Sequence, residues 1–371
     1  MAIAGPRVLV VDDSVVVRRL VSKALEQDGS VEVAGVAADG RIALMKIPQV
    51  APDVVLLDVE MPVMDGLACL REIRKRWPAL VVIMFSTLTT RAAAATLDAL
   101  SLGASDYVPK PRGLRDPDEG FAFVKENVVP RILALAPRRA AQPAENGRPR
   151  TRRGARAVPP VRRVVVPSRA DVMAIGASTG GPNALITLFE RFTAPVQVPV
   201  LIVQHMPPLF TAMLAERLTA RTPLRVREAA DGDPLRPGEA LIAPGDVHMI
   251  VRDSEAGVRV STYPGPPENS CRPSVDPLFR SVAAVYGRHA LGVVLTGMGK
   301  DGLRGAEAIR AARGQLVVQD EASSVVWGMP GFVARAGLAD AVVSLEGMAA
   351  ELMGRLAVGR APVRLARSAT R

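Results

Sequence analysis

The sequence predicts two consecutive α/β domains, each built on a mostly parallel sheet. The chain has 371 residues, which is more than one typical domain holds. Short runs rich in β-branched residues alternate with helical patterns along both halves. A basic stretch rich in proline, alanine and glycine separates the halves over residues 136–170. We therefore expect a first domain over residues 1–135 and a second over residues 171–360.

Five apolar runs alternate with amphipathic segments in the first half, which predicts a five-stranded, doubly wound sheet. The predicted strands are RVLVVDDS, VEVAGVAAD, DVVLLD, LVVIMFST and SDYVPKP, and the clearest helices are SVVVRRLVSKALEQ and GLACLREIRKRW. Runs this apolar are typical of strands covered on both faces. Such sheets bind ligands beyond the carboxyl ends of their strands, so the polar residues that end these runs form the candidate site.

Carboxylates, a serine and a lysine follow these strands and would converge on one edge of the sheet. They are Asp12, Asp13, Asp58, Ser86 and Lys110. Neighbouring carboxylates repel one another unless a hard cation lies among them, and Mg²⁺ prefers oxygen ligands. We predict that Asp58 is a nucleophile that forms an acyl phosphate, while Lys110 supplies a second positive charge. Ser86 would bond the phosphoryl group, and Tyr107 would change rotamer with it.

For Asp12 or Asp13 alone, the alternative is a structural role at a strand end and a helix start. The spaced elements VDDS, LLDVEMPVMDG, FST and DYVPKP together resemble the receiver domains of two-component response regulators over the whole first half. The resemblance implies that Asp58 accepts phosphate from a histidine kinase of a chemosensory pathway. It also implies that Asp12, Asp13 and Asp58 hold Mg²⁺.

The second half shows the same alternation without repeating the sequence of the first. Its predicted strands are DVMAIGAS, VPVLIVQHM, EALIAPGD, ALGVVLTG and GQLVVQD, and its helices are PNALITLFERF, LFTAMLAERLTA and DGLRGAEAIRAA. These elements predict a second doubly wound, mostly parallel sheet. The remaining residues, 361–371, form a basic tail.

Ser178 lies in IGASTGGP between an apolar strand and a helix, with Gly176 and Gly180 on either side. This pattern matches the G-x-S-x-G turn that presents a nucleophilic serine, although a plain tight connection is the structural alternative. The helix that follows would direct its amides at a developing oxyanion. His205 directly follows a strand in QHMPP and is the candidate general base. Asp301, in GMGKDG, follows another strand and could orient that base.

The other candidate groups are weaker. His248, in APGDVHM, could lie near the site or be structural, and His289 precedes its strand at the opposite end. The segment GMGKDG also fits the glycine-rich turn of a dinucleotide site, with Asp320 near the spacing expected of a ribose ligand. Asp301 argues against that interpretation, because a carboxylate would repel a pyrophosphate.

Six segments resemble the catalytic domain of the chemotaxis methylesterase/glutaminase family, CheB, over nearly all of residues 171–345. They are IGASTGGP, QHMPP, APGDVHM, RPSVDPLF, VVLTGMGKDG and QDEASSVVWGMP. The resemblance implies that Ser178 is the nucleophile, His205 the base and Asp301 the orienting acid, with the backbone at Met298 holding the oxyanion. The chain departs from the family pattern at Cys271, where a histidine often precedes RPSVD.

The same resemblance implies an activity and its partners. The hydrolase domain would remove methyl esters from glutamates of chemoreceptors and deamidate particular receptor glutamines, and it would need no cofactor. Phosphorylation of the receiver would activate it. The alternative from another functional class is a response regulator that acts only by binding, through a hydrolase-like domain without activity.

The net charge of +10 is concentrated between the two halves. Residues 137–169 contain ten arginines against a single acid, Glu145, a net of +9. This composition predicts a solvated linker rather than a specific nucleic-acid site. The two cysteines, Cys69 and Cys271, show no metal-ligand spacing.

Neither a membrane segment nor a secretory signal is apparent. No apolar run approaches the roughly 18 residues that span a bilayer. Asp12 and Asp13 interrupt the short apolar stretch near the start. We therefore expect a cytoplasmic protein without membrane insertion.

Overall fold

The computed structural model describes residues 5–111, 117–136 and 169–358. The chain divides into two compact units between residues 156 and 157. We call residues 5–136 the N-terminal unit and residues 169–358 the C-terminal unit. Most of the predicted linker and the whole predicted tail lie outside the described residues, so their boundaries stay predictions.

The N-terminal unit contains the predicted five-stranded parallel sheet, in the order β2-β1-β3-β4-β5. Its strands are β1 (Arg7–Val11), β2 (Glu32–Ala37), β3 (Val54–Asp58), β4 (Val81–Ser86) and β5 (Asp106–Pro109). Its helices are α1 (Val15–Asp28), α2 (Gly40–Val50), α3 (Gly66–Arg76), α4 (Thr90–Ser101), α5 (Pro117–Phe123) and α6 (Val129–Leu135), with a π-helical turn at Val124–Val128 between the last two.

Short polar side chains start the helices that follow the strand ends. Ser14 accepts a hydrogen bond from the amide of Val17 at the start of α1, and Asp65 accepts one from Ala68 at the start of α3. Such caps satisfy amides that have no partner within the helix. These caps fix the residues at which α1 and α3 begin. Because all five strands run parallel, the residues that follow β1, β3, β4 and β5 lie along one edge of the sheet.

The C-terminal unit contains a seven-stranded sheet in the order β14-β13-β12-β6-β7-β9-β8, with every neighbouring pair parallel. Its strands are β6 (Val172–Ala177), β7 (Val200–Gln204), β8 (Arg225–Glu228), β9 (Glu239–Ile242), β12 (Ala290–Val294), β13 (Gln315–Gln319) and β14 (Ala341–Val343). A separate antiparallel pair consists of β10 (His248–Arg252) and β11 (Arg259–Tyr263). Its helices are α7 (Gly181–Glu190), α8 (Phe210–Arg221), α9 (Val275–Tyr286), α10 (Leu303–Ala311), α11 (Met329–Arg335) and α12 (Leu345–Ala357).

All five predicted strands of this unit are present, and the structure adds elements that the sequence analysis did not identify. The added edge strands are a polar one, β8 with the sequence RVRE, and a three-residue one, β14. Edge strands are short and partly solvated, so they lack the apolar runs of central strands. Helix α9 was missed because Pro277 interrupts its pattern. Proline is tolerated there, since the first turn of a helix contains amides without helical partners.

The topology explains where the C-terminal site lies. Strand β6 lies between β7 on one side and β12 on the other. The strands that follow β6 first extend the sheet on the β7 side and later on the β12 side, so the strand order reverses at β6. In open α/β sheets, crevices form beyond the carboxyl ends of the strands at such a switch point. Ser178 follows β6, His205 follows β7, and Asp301 lies beyond the end of β12.

Candidate active site and candidate phosphorylation site

The Ser178 turn is held by hydrogen bonds from the neighbouring strands. The Ser178 amide donates to the carbonyl of Thr296 at 3.0 Å. The side-chain amide of Gln204 donates to the Ser178 carbonyl at 2.9 Å. Gly180 has a φ of 77°, a left-handed conformation that L side chains rarely adopt, and α7 begins directly after it. The backbone therefore fixes a half-buried serine at the end of the central strand.

The turn after β12 passes directly beside Ser178. A Cβ atom placed on Gly297 would lie 2.8 Å from the Ser178 Cβ, so only glycine allows this approach. The Gly297 carbonyl accepts hydrogen bonds from the amides of Gly328 and Met329. The next amide, that of Met298, donates to no acceptor among the residues that the structure describes. A backbone donor without a partner thus lies close to the predicted nucleophile.

His205 and Asp301 form a direct, largely buried pair. His205 Nε2 lies 2.7 Å from Asp301 Oδ2, and the two side chains are 11% and 2% exposed. The His205 amide donates to the carbonyl of Ala177, the residue before Ser178. The structure therefore brings the predicted serine, base and acid to one edge of the sheet.

The Asp301 carboxylate accepts more hydrogen bonds than sequence reasoning anticipated. Its donors are His205 Nε2, Asn269 Nδ2, Ser274 Oγ and the amides of Val275, Asp276 and Gly302, at 2.6–3.1 Å. Two of these amides belong to the first turn of α9, whose positive end also favours an anion. Burial raises the pKa of Asp301, but the bonds from His205, Val275 and Ser274 outweigh it and hold the pKa well below its usual range. Asp301 is thus a fixed anion.

The second nitrogen of His205 faces a residue that the sequence analysis noted only as a departure. His205 Nδ1 lies 3.4 Å from the Cys271 sulfur. The Ser178 hydroxyl makes no hydrogen bond with the described part of the chain. Burial lowers the pKa of His205, but contacts with Cys271 and Asp301 outweigh it and leave the pKa raised. The ring therefore has an acid on one side and a thiol on the other.

The remaining candidates of this unit have structural partners. His248 is 1% exposed, and its ring accepts from the Ser274 amide and bonds the Pro266 carbonyl. It thereby supports the start of α9 without touching His205. His289 bonds the Arg169 carbonyl, beyond the opposite end of the sheet. Asp320 accepts from Ser323 within its own turn.

Three polar residues that support the Ser178 turn were missed as functional candidates. Gln204 and Gln319 end buried strands, and Thr296 follows a third. Gln319 Oε1 accepts from the Thr296 amide at 2.8 Å, and the Thr296 hydroxyl donates to the Thr179 carbonyl at 2.9 Å. A polar residue at the end of an apolar strand could have identified them in the sequence, as it did for Asp58.

In the N-terminal unit, the predicted carboxylates form one cluster. Oxygens of Asp12, Asp13 and Asp58 lie within 4.8 Å of one another. Lys110 Nζ lies 2.7 Å from both Asp12 Oδ2 and Asp58 Oδ2. Asp12 and Asp58 are buried, whereas Asp13 is exposed. The structure thus brings together four of the predicted residues, Asp12, Asp13, Asp58 and Lys110.

The electrostatics of this cluster fit a hard cation. The pKa of Asp58 is raised to about 6, because burial and the nearby Asp12 carboxylate together outweigh the lowering effect of Lys110. One lysine therefore does not compensate the buried carboxylates. Three carboxylates within reach of one point are ligands that Mg²⁺ accepts. The cluster could hold a metal ion.

The other two predicted residues of the N-terminal unit, Ser86 and Tyr107, lie on the strands beside the cluster. The Ser86 hydroxyl donates to the carbonyls of Thr87 and Ala92, at 3.2 and 3.4 Å. Tyr107 is 6% exposed, and burial together with Asp106 raises its pKa. Both lie on strands beside the cluster, β4 and β5, where a change of rotamer would be needed to fulfil the predicted switch roles.

Comparisons with known families agree with this architecture. Residues 8–117 match the response regulator receiver domain, and residues 173–352 match the CheB methylesterase family. The chain is 48% identical to a protein-glutamate methylesterase/protein-glutamine glutaminase of Trichodesmium erythraeum, over 94% of this chain and 99% of that protein. It is 49% identical to a protein of the same name from Nocardioides, over 95% and 96%.

A solved structure, the catalytic domain of the Thermotoga maritima CheB methylesterase, is 36% identical, with a TM-score of 0.49, over 50% of this chain and 99% of that domain. Among the described residues, no helix is both long and apolar enough to span a membrane. Relatives at nearly half identity cover almost the full length of the chain, and both halves match. The chain therefore belongs to the CheB family of protein-glutamate methylesterases/protein-glutamine glutaminases and carries a receiver domain.

Proposed function

We propose that this chain hydrolyses glutamate γ-methyl esters and deamidates particular glutamines of chemoreceptors in the cytoplasm, and that phosphorylation at Asp58 activates it. The observation that carries the hydrolase part is the 2.7 Å hydrogen bond between His205 and buried Asp301, beside the Ser178 turn. The names of the relatives supply the substrate class.

The Asp301–His205 contact determines which nitrogen acts as the base. An ionised Asp301 accepts a hydrogen bond from the protonated Nε2 of His205. Nδ1 therefore carries the lone pair that can take a proton. In the proposed reaction, Nδ1 removes the proton from the Ser178 hydroxyl as its oxygen attacks the γ-carbonyl carbon. Since Nδ1 faces Cys271 in the structure, a small movement of the ring or the thiol must bring it to Ser178.

Backbone amides stabilise the charge that develops on the carbonyl oxygen. The Met298 amide is a donor without an acceptor among the described residues, and the positive end of α7 lies after Ser178. His205 then returns its proton to the leaving group, which is methanol from an ester or ammonia from an amide. Water hydrolyses the acyl-enzyme by the same steps. This chemistry uses only side chains and amides of the chain.

In the receiver, we propose that Asp12, Asp13 and Asp58 hold Mg²⁺, which would supply positive charge to the oxygens of an incoming phosphoryl group. Asp58 attacks the phosphorus through a carboxylate oxygen and forms an acyl phosphate, while the P–N bond of the donor's phosphohistidine breaks and its imidazole leaves. Lys110 contacts Asp58 Oδ2 and favours its ionised form. The proposed phosphodonor is a histidine kinase, as the receiver domain implies, and the CheB family places that kinase in a chemosensory pathway.

The test measures methanol released from methylated chemoreceptors of the same cell by the intact chain. We expect release that depends on Ser178 and increases with acetyl phosphate and Mg²⁺. The increase should be lost in Asp58→Asn, while basal release remains. Release no greater than in Ser178→Ala would contradict the hydrolase and favour a regulator that acts only by binding.

A further inference from the structure

Cys271 lies beside His205 of the proposed triad, but it has no part in the proposed reaction. Its sulfur is 3.4 Å from His205 Nδ1, while Nε2 of the same ring is 2.7 Å from Asp301. The thiol, the imidazole and the carboxylate thus form a continuous chain of contacts. This is the arrangement by which a histidine, itself oriented by an acid, activates a thiol nucleophile.

The backbone around Cys271 fixes the position of the thiol. Glu268 and Cys271 exchange two backbone hydrogen bonds, of 3.1 and 3.0 Å, around a turn in which Asn269 and Ser270 have φ values of 53° and 61°. The Asn269 side chain donates to Asp301, so the same turn also supports the acid. These hydrogen bonds therefore hold Cys271 in its position beside His205.

The other cysteine shows the opposite environment. Cys69 is fully buried in the N-terminal unit, and its thiol donates a hydrogen bond to the carbonyl of Gly40. Burial raises the pKa of Cys69 to about 12, with smaller contributions from Asp39 and Asp65. Cys271 is half-buried, and its thiol contacts the imidazole of His205. Reactive thiols need both a base and access, and only Cys271 has them.

We propose that Cys271 is a nucleophilic thiol activated by His205, and that its oxidation by hydroperoxides switches the hydrolase off. The switch rests on the proposed function of Ser178 and His205, whereas the reactivity of the thiol does not.

The oxidation step balances with a hydroperoxide as the oxidant. His205 Nδ1 takes the thiol proton, and the Cys271 sulfur attacks the terminal oxygen of the hydroperoxide. The O–O bond breaks, and the leaving alkoxide or hydroxide takes the proton from His205 to give an alcohol or water. Sulfur is oxidised to a sulfenic acid and the peroxide is reduced. The added oxygen enlarges the group that faces Nδ1, so it displaces the ring or blocks the approach of the Ser178 proton to Nδ1. A thiol reductant reverses the step.

The first experiment measures thiol reactivity without any hydrolase assay. The intact chain is treated with limiting iodoacetamide, and alkylation of both cysteines is followed by mass spectrometry of their peptides. Cys271 should react at least about tenfold faster than Cys69, and His205→Asn should remove most of that advantage. The His289→Asn variant is the matched control, since that histidine lies beyond the opposite end of the sheet. Equal Cys271 rates in the intact chain and in His205→Asn would overturn the activation.

The second experiment tests the switch. The intact chain is treated with hydrogen peroxide, Cys271 sulfenic acid is trapped with dimedone in one aliquot, and methanol release is measured in another. Activity should fall in proportion to the trapped fraction and return after dithiothreitol. Cys271→Ser and Cys271→Ala should each retain their own untreated rate. Full activity in protein oxidised at Cys271 would refute the switch. Absence of methanol release before treatment would instead refute the proposed function.

Discussion

Both sites carry an aspartate at the carboxyl edge of a parallel sheet, and the two environments prepare it for opposite tasks. Asp58 ends β3 in a cluster where buried carboxylates exceed the one contacting lysine, and burial raises its pKa to about 6. Asp301 follows β12 and receives six donors, so its pKa is lowered. The number of donors around a carboxylate, more than its burial, separates a reactive group from a fixed anion.

The two sites also differ in whether they need a bound ion. The receiver cluster sets three carboxylates against the single ammonium of Lys110, which makes a cation the natural complement of Asp12, Asp13 and Asp58. The hydrolase site already satisfies its acid with protein donors and positions an unpartnered Met298 amide beside Ser178. We therefore expect the N-terminal unit to respond to added Mg²⁺ and phosphodonor, and the C-terminal unit to act through its own side chains and amides.

The largest expected effect concerns the nucleophile. Ser178→Ala should lower methanol release by about 10⁴- to 10⁶-fold, because the members of a triad act as a unit. Ser254→Ala is the matched control, since that exposed hydroxyl bonds only the nearby Gly257 carbonyl among the described residues. A Ser178 variant within tenfold of the unchanged chain would remove the serine-hydrolase mechanism.

Substituting the reactive carboxylate should abolish the other chemistry. Asp58→Asn should accept no phosphate from acetyl phosphate in the presence of Mg²⁺, because an amide oxygen is a poor nucleophile and a weaker cation ligand. The measurement is phosphoryl stoichiometry by mass spectrometry, with Asp98→Asn as the control. Unchanged stoichiometry would show that the phosphorylated residue is another one.

Removing the charge of the fixed anion should cost less activity than removing the serine. Asp301→Asn should lower methanol release by about 10²- to 10⁴-fold, because an amide cannot accept all six donors or hold the same tautomer of His205. It should also lower the unfolding midpoint, since buried donors lose a charged acceptor. The Asp340→Asn variant, which removes another buried acid of this unit, should share only the effect on stability.

The dependence of the hydrolase on pH should reveal the environment of His205. The base works only when neutral, and its pKa is raised, so methanol release should increase with pH through a midpoint above 6.5. Cys271→Ser removes one of the contacts that raise this pKa and should move the midpoint to lower pH. A midpoint at or below 6.5 in the unchanged chain would contradict the contacts of the ring.

The smallest expected effects are differences in pKa, measured directly on the two carboxylates. With ¹³C-labelled aspartate in metal-free buffer, Asp58 should titrate near pH 6, and Asp301 should stay ionised below pH 3.8. Lys110→Ala should raise the pKa of Asp58 further, because Lys110 is the largest influence that lowers it. Similar midpoints for Asp58 and Asp301 would mean that the donors around Asp301 do not distinguish the two groups.

The alternation of apolar runs with helical patterns was enough to predict all ten of the proposed strands and the two doubly wound sheets. Polar residues at strand ends were enough to identify Asp58, Ser178 and His205 as candidates, because parallel strands bring their carboxyl ends together. These features are local, so residue type and spacing encode them. The short edge strands β8 and β14 escaped because they carry little of that pattern.

Tertiary structure alone decided how those candidates are connected. It placed the start of α9 against Asp301, gave that acid six donors, and set Cys271 against Nδ1, the nitrogen of His205 that we propose as the base. Residues 205, 271 and 301 are far apart in the chain, and their distances depend on how α9 packs and how the Glu268–Cys271 turn closes. The sequence by itself therefore determined which groups are present at the edge of each sheet. Packing between distant segments determined which atoms meet, and thus the charge state of each group.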